Sequence, residues 1–315
     1  MSGGQVAVAA MQLVIVVGGA PLLVGVVSKV RARLEGRRGA PILQPWREIA
    51  KQLRKEAIRP EHTSWVFWVA PLVLVATSAL VAMVIPFLST ESPFASVSDL
   101  FGVVALLLLG SVFLALAGLD PGTAFGGMGA SREMTIAALA EPALLVATFA
   151  LAVPANSTSL AVIVAGSLDA PERIFSVPSL LALGALAIAA LAETARLPVD
   201  NPSTHLELTM VHEAMVLEYA GPDLALVELA AAMRLTLFAG LLVTLFVPWG
   251  VATSTGAGAL AVATVAFVAK VGALGVLLAC FEVQTAKLRL FRVPELLAGS
   301  FVLGTLAVIG AFFLR

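Results

Sequence analysis

Cysteine is nearly absent from this 315-residue chain: Cys280 is the only one. No disulfide can form within the chain, and no iron–sulfur cluster can be ligated by its cysteines alone. Histidine is almost as scarce, and the three present (His62, His205, His212) fall in connections rather than facing one another across apolar segments, which argues against a bis-histidine haem. Electrons, if they flow in the system, flow in a partner. Charged residues make up 12% of the chain, against about 25% in soluble domains. No segment alternates apolar and polar residues as the strands of a membrane barrel must. The amino terminus has no basic n-region, so its apolar stretch reads as a span and not as a cleavable signal.

What is present is apolar length. The chain is 60% apolar with a mean hydropathy of +1.01, and several runs reach the 20 or so residues needed to cross a bilayer as helices. The expected fold is an all-α, polytopic integral membrane protein of about eight spans, at roughly 6–28, 65–88, 100–119, 134–154, 178–194, 224–247, 256–280 and 294–314. The apolar stretch Ser159–Gly166 is too short to cross. The chain reads as one transmembrane domain over 1–315, with connections at about 29–64, 120–133, 195–223 and 281–293 sharing one side.

Charge sets the expected orientation. The connection after the first span holds Lys29, Arg31, Arg33, Arg37, Arg38, Arg47, Lys51, Arg54, Lys55 and Arg59. Alternating sides from there, the same face receives Arg132, Arg196, Lys287, Arg289 and Arg292, and the opposite face only Arg173 and Arg315. The positive-inside rule therefore puts the charged connections in the cytoplasm and both termini outside, in a multi-pass protein of the inner (cytoplasmic) membrane. Lipid is the expected surrounding, and nucleic acid is not an expected partner.

Four segments carry chemistry. From Trp46 onward Trp46, Ile49, Ala50, Leu53 and Ala57 recur at helical spacing opposite charges, an amphipathic interfacial helix. Its basic residues serve topology and anionic lipid, whereas the order of Arg37, Gly39, Pro41, Gln44 and Pro45 is more than topology needs. From Gly122 the run GTAFGGMGASREMTIAALAEPALL has glycines for a sharp turn or a close backbone approach, and no Lys-Ser/Thr pair for a phosphate loop. Glu141 lies about 10 Å into the following span, where a carboxylate costs several kcal/mol unless paired or neutralised.

Deeper still are Glu228 and Arg234 on the sixth span and Lys270 on the seventh, which read as a polar path, with Glu141 expected to pair with Arg234 or Lys270. An inert network that fixes helix register is the alternative. The last segment, ETARLPVDNPSTHLELTMVHEAMVLEY, is the most informative. It packs Glu193, Asp200, Glu207, Glu213 and Glu218 with His205 and His212 between two apolar helices. It lacks the HExxH order of a zinc protease, and two histidines make no metal site. Crowded carboxylates suit proton uptake and release near neutral pH. A solvated acidic loop docking a basic partner is the competing reading.

Read together, GRRGAPILQPWREIAKQLRKE (36–56), FGGMGASRE with EPALL (125–145), the 193–221 segment and AKLRLFRVPELL (286–297) carry a resemblance. They closely resemble the membrane-anchor subunit of group 4 energy-converting nickel–iron hydrogenases, of the formate hydrogenlyase subunit four type. The resemblance extends to the complex I subunit beneath the quinone chamber. It implies an eight-helix subunit that binds no cofactor of its own and joins a cytoplasmic redox arm to antiporter-like membrane subunits. That arm would comprise hydrogenase-like large and small subunits and an iron–sulfur subunit, with nickel–iron and iron–sulfur centres. It also implies that Glu193, Glu207, Glu213 and Glu218 feed a carboxylate chain through Glu141 into the membrane. Arg37, Arg132 and Arg196, with Gln44, would line the junction with the arm. Between ETARLP and EY the sequence follows the hydrogenase-type pattern and not the shorter complex I one, which leaves a quinone site open.

The expected function is thus a non-redox subunit coupling a redox arm to proton or sodium translocation. The rivals are a passive scaffold for the arm, a quinone-site subunit like that of complex I, and a free-standing transporter. The last would favour an inverted repeat, and none is evident.

Overall fold

The computed structural model describes residues 3–91, 94, 98–201 and 210–313. Among these residues eleven α-helices follow in order. The elements α1 (Gly3–Leu34), α2 (Gln44–Gln52), α3 (Trp65–Val84) and α4 (Leu100–Leu119) come first. Next are α5 (Ala124–Ala155), α6 (Leu160–Asp169), α7 (Val177–Glu193) and α8 (His212–Val216). Last come α9 (Gly221–Phe246), α10 (Ala257–Gln284) and α11 (Val293–Phe313). Among the described residues the only β pairing is two isolated bridges, Ser89 with Ala252 and Asp99 with Ser159. Seven of the described helices are long and apolar enough to cross a membrane. The eighth expected span is α7, whose 17 residues reach about 25 Å at 1.5 Å per residue. The chain is an all-α, multi-pass membrane protein.

Helix starts follow local chemistry. Ser64 accepts the Val66 amide at 3.2 Å to open α3, and Thr123 accepts the Gly126 amide at 3.3 Å to open α5. Each hydroxyl takes up one of the amides a helix leaves unpaired at its start. Asn156, in the left-handed region at φ 50°, ends α5. The α5 helix begins earlier than expected, so Gly126, Gly127 and Gly129 lie inside it and not in a turn before it. Gly129 serves close approach instead: a Cβ there would sit 2.8 Å from Ala214 Cβ and 2.9 Å from Val211 O, so its absence lets α5 bear directly on α8.

In the centre stands α9, packed on α1, α2, α3, α7 and α10. Of its most apolar stretch 78% is buried, against 22% for α10, which makes α9 the core and α10 an edge with its outer face left for lipid. The α5, α7 and α11 helices form a second packed group, joined to the first through α4 and α7. The segment from Trp46 is helical only to Gln52. Of its apolar stripe Ile49 is buried, Trp46 donates to Gly18 O at 3.1 Å, and Leu53 lies exposed beyond the helix end. It therefore docks against α1 and α9 over one short stretch. The stretch from Ser159 forms the short helix α6, with Leu160, Ala161, Ile163 and Val164 buried.

Candidate functional site

A cavity of about 410 Å³ opens where α1, α2, α3, α4 and α9 meet the end of α7 and the start of α8. One wall is apolar, with Pro21, Val24, Leu74, Leu107 and Leu114. The other carries Glu133, Glu193, Arg196, Asp200, His212, Glu213, Glu228 and Arg234, with Gln44 and Glu48 on the α2 side. Residues 193–196, 200, 212 and 213 of the connection thus wall a chamber built by helices distant from them in sequence. Glu207 and His205 lie outside the described residues.

The innermost contact is an ion pair between Glu193, the last residue of α7, and Arg234 in the middle of α9. The two side chains are only 4% and 15% exposed. Arg234 also donates to Ser111 Oγ at 2.8 Å and to Leu107 O at 3.3 Å, so its guanidinium bridges α4, α7 and α9. Gly110 lies beside it: a Cβ there would be tight only against Thr77 Oγ1, at 3.2 Å, and would meet Arg234 Nη1 at an ordinary contact distance of 3.8 Å. The partner expected from sequence was Glu141; Arg234 takes Glu193 instead, because a guanidinium follows the nearest carboxylate on a facing helix. Glu141 still lies close enough to feel both charges. One of its carboxylate oxygens is buried without a hydrogen-bond partner, as is Arg234 Nε. Such atoms carry an uncompensated desolvation cost unless water or a proton serves them.

The other expected site residues divide. Glu213 lines the cavity, and Glu228 lines its mouth. Glu228 is exposed and not buried deep. Glu218 is half-buried outside the cavity wall. Lys270 is not part of the chamber. Its ammonium donates to Val247 O at 2.8 Å and Trp249 O at 3.0 Å, past the far end of α9. Of the residues expected at a redox-arm junction, Arg37 is exposed and paired with Glu35, whose carboxyl that guanidinium holds below its usual range. Gln44 donates to Glu48 Oε1 at 3.0 Å. Arg132 donates to Met210 O at 3.0 Å, and Arg196 pairs with the buried Glu282 at 3.3 Å.

His212 stands at the start of α8, and loss of solvent holds its imidazole below the ordinary histidine range. Glu213 and Asp200 pull the other way, and Arg234 adds to the depression. Sequence reasoning missed Glu282, which reads as a lone charge at the end of an apolar helix yet has only 3% of its surface exposed. It also gave no role to Glu133, and counted Asp200 only as one of the crowded carboxylates and not as a backbone-binding one. A signal existed for Asp200 in the Pro-Val-Asp-Asn turn, where aspartate often binds nearby backbone amides. Among the described residues no group of three or more His, Cys, Asp or Glu side chains is arranged to hold a metal ion.

Comparison with known proteins gives this site a context. A family-wide sequence profile described as NADH dehydrogenase matches residues 6–313. The chain is 32% identical over 299 residues to formate hydrogenlyase subunit 4 of Escherichia coli (strain K12), covering 95% of this chain and 96% of that one. It is 33% identical over 308 residues to hydrogenase-4 component C of the same organism, covering 97% and 95%. A lower likeness, 28% over 216 residues, links it to a subunit of the NADH-quinone oxidoreductase of Rubrobacter xylanophilus, covering 67% and 62%. In fold it is similar to a chain of the membrane-bound sulfane sulfur reductase, an archaeal respiratory membrane complex. That match has a TM-score of 0.84 and 20% identity, and covers 98% of this chain and 99% of the other.

Proposed function

The chain belongs to the NADH dehydrogenase family, and we propose that it is the membrane subunit coupling a cytoplasmic redox arm to ion translocation, carrying no redox centre itself. The names of its relatives, formate hydrogenlyase subunit 4 and hydrogenase-4 component C, favour a hydrogenase or formate hydrogenlyase-like arm with nickel–iron and iron–sulfur centres. Antiporter-like membrane subunits would take up the coupled proton or sodium ion. The basic connections favour docking of the arm on the face that carries Arg37, with both termini on the opposite side.

One observation carries this reading: the Glu193–Arg234 pair in the wall of a chamber that Glu213 also lines, with the unpartnered Glu141 oxygen behind it. Buried ionisable groups within spans are costly, and their usual use is to move or bind charge. A change of charge at the arm would alter protonation in the acidic connection, whose carboxylates in sequence are Glu207, Glu213 and Glu218. Loss or gain of that charge would rebalance Glu193 against Arg234, and Glu141 would pass the change toward the neighbouring membrane subunits. Glu228 guards the mouth on the α2 side. Glu213→Gln in the whole complex should abolish redox-linked proton movement while assembly persists. Full coupling in that variant overturns the proposal and leaves a passive scaffold.

The apolar wall supports a second reading, a quinone, as in the name of the NADH-quinone oxidoreductase relatives. A volume of about 410 Å³ lies within the range of ligand pockets, and His212, Arg196 and Gln44 offer donors to a ring carbonyl. Competition by a ubiquinone analogue for electron transfer through the intact complex separates the two readings.

A further inference from the structure

The acidic connection has a neck. Asp200, 3% exposed, accepts the amides of Val211 at 3.3 Å and His212 at 3.2 Å on one carboxylate oxygen. Its other oxygen accepts Lys287 Nζ at 2.8 Å and the Asn201 amide at 2.9 Å. One carboxylate therefore ties together both ends of the 201–210 stretch and anchors them to the connection between α10 and α11. A second tie runs alongside. Arg196 meets Glu282 at 3.3 Å, Arg31 stands 3.7 Å from the same carboxylate, and the Leu288 amide donates to Pro198 O at 2.9 Å.

The helix thus fastened is only five residues long, and its first two residues are His212 and Glu213. A helix of that length is not stable alone, because nucleation fixes several dihedrals for one hydrogen bond. Its opening amides have no intrahelical partner, and the residue before it, Val211, has no side chain able to cap them. Asp200 supplies the acceptor from across the neck, and a charged acceptor with a lysine behind it makes the stronger kind of hydrogen bond. We infer that Asp200, held by Lys287, is a positioning residue that seats His212 and Glu213 against the cavity. The inference rests on the reading of that cavity as the coupling site.

The test uses the assembled complex with Asp200→Ala, Lys287→Gln and Lys287→Arg, and reads amide hydrogen exchange at 211–212 together with redox-linked proton movement. Asp200→Ala and Lys287→Gln should each speed exchange by roughly tenfold or more and lower coupling. Lys287→Arg, which keeps the charge and a donor, should restore both. If Asp200→Ala does not assemble, Lys287→Gln carries the test. Unchanged exchange in Lys287→Gln overturns the inference, and so does faster exchange with coupling intact, which would make the neck a fold element only. Glu193→Gln, measured in parallel, separates the two layers: full coupling there defeats the coupling reading of the cavity, while exchange still judges the seating by itself.

Discussion

Arg234 and Lys270 look alike in the sequence, each a lone cation near the middle of a long apolar helix. Their surroundings differ completely. Arg234 lies on the central helix, neutralised by Glu193 and hydrogen-bonded to α4 in the wall of the cavity. Lys270 lies on the edge helix and reaches along it to two carbonyls just past the end of α9. The lysine stem is long enough to carry its charge to orphan carbonyls at a helix end, where a cation is favoured. The guanidinium, planar and with several fixed donors, suits the crossing of three helices. Depth along a helix is thus a poor guide to role, and the partner of the charge is a better one.

Neutralising Arg234 should break the comparison most sharply. Arg234→Met leaves Glu193 buried without a counter-charge and should cost about 3–5 kcal/mol, seen as lost assembly or a lower melting temperature in detergent. Glu193→Gln with Arg234→Met should recover much of that stability but not the coupling. Lys270→Met should cost less, about 1–2 kcal/mol, and leave redox-linked proton movement in place. Coupling lost with Lys270→Met would return that lysine to the path. The Arg59–Asp223 pair, with contacts of 2.7 and 3.2 Å, fastens the end of the first connection to the start of α9. Because Arg59 is 37% exposed, solvent screens the pair, and Arg59→Met should cost no more than about 1 kcal/mol.

The smallest effect is one of pH. Desolvation depresses His212, so the folded chain takes up that proton less readily than the unfolded chain does. Its contribution is therefore intact above the ordinary value of 6.5 and is lost as the pH falls below it. Protection from hydrogen exchange over 210–216, taken relative to the intrinsic amide rate at each pH, should fall on acidification through that window, and His212→Gln should flatten the dependence.

Helical spans were legible because each must satisfy its own backbone and present apolar side chains over its whole length. Seven of the eight expected spans are helices long and apolar enough to cross, α7 is a shorter apolar helix of 17 residues, and α5 is longer than its apolar core. Which faces meet was not legible. Helices such as α5 and α9 are apolar nearly all round, so no stripe shows what each one packs against. Glu228 read as buried and is exposed, and Glu282 drew no notice and is buried, for that reason. The acidic connection was recognisable as the place to look, since charge stands out against an apolar background.

The sequence by itself determined that this is an all-α membrane protein, where its spans fall and which connection concentrates ionisable groups, because hydropathy and charge are local properties read along the chain. Only the tertiary structure decided that Arg234 answers to Glu193, that Lys270 stands apart and that Asp200 reaches Lys287, because pairing depends on helix rotation and crossing, which apolar side chains of similar shape leave unspecified.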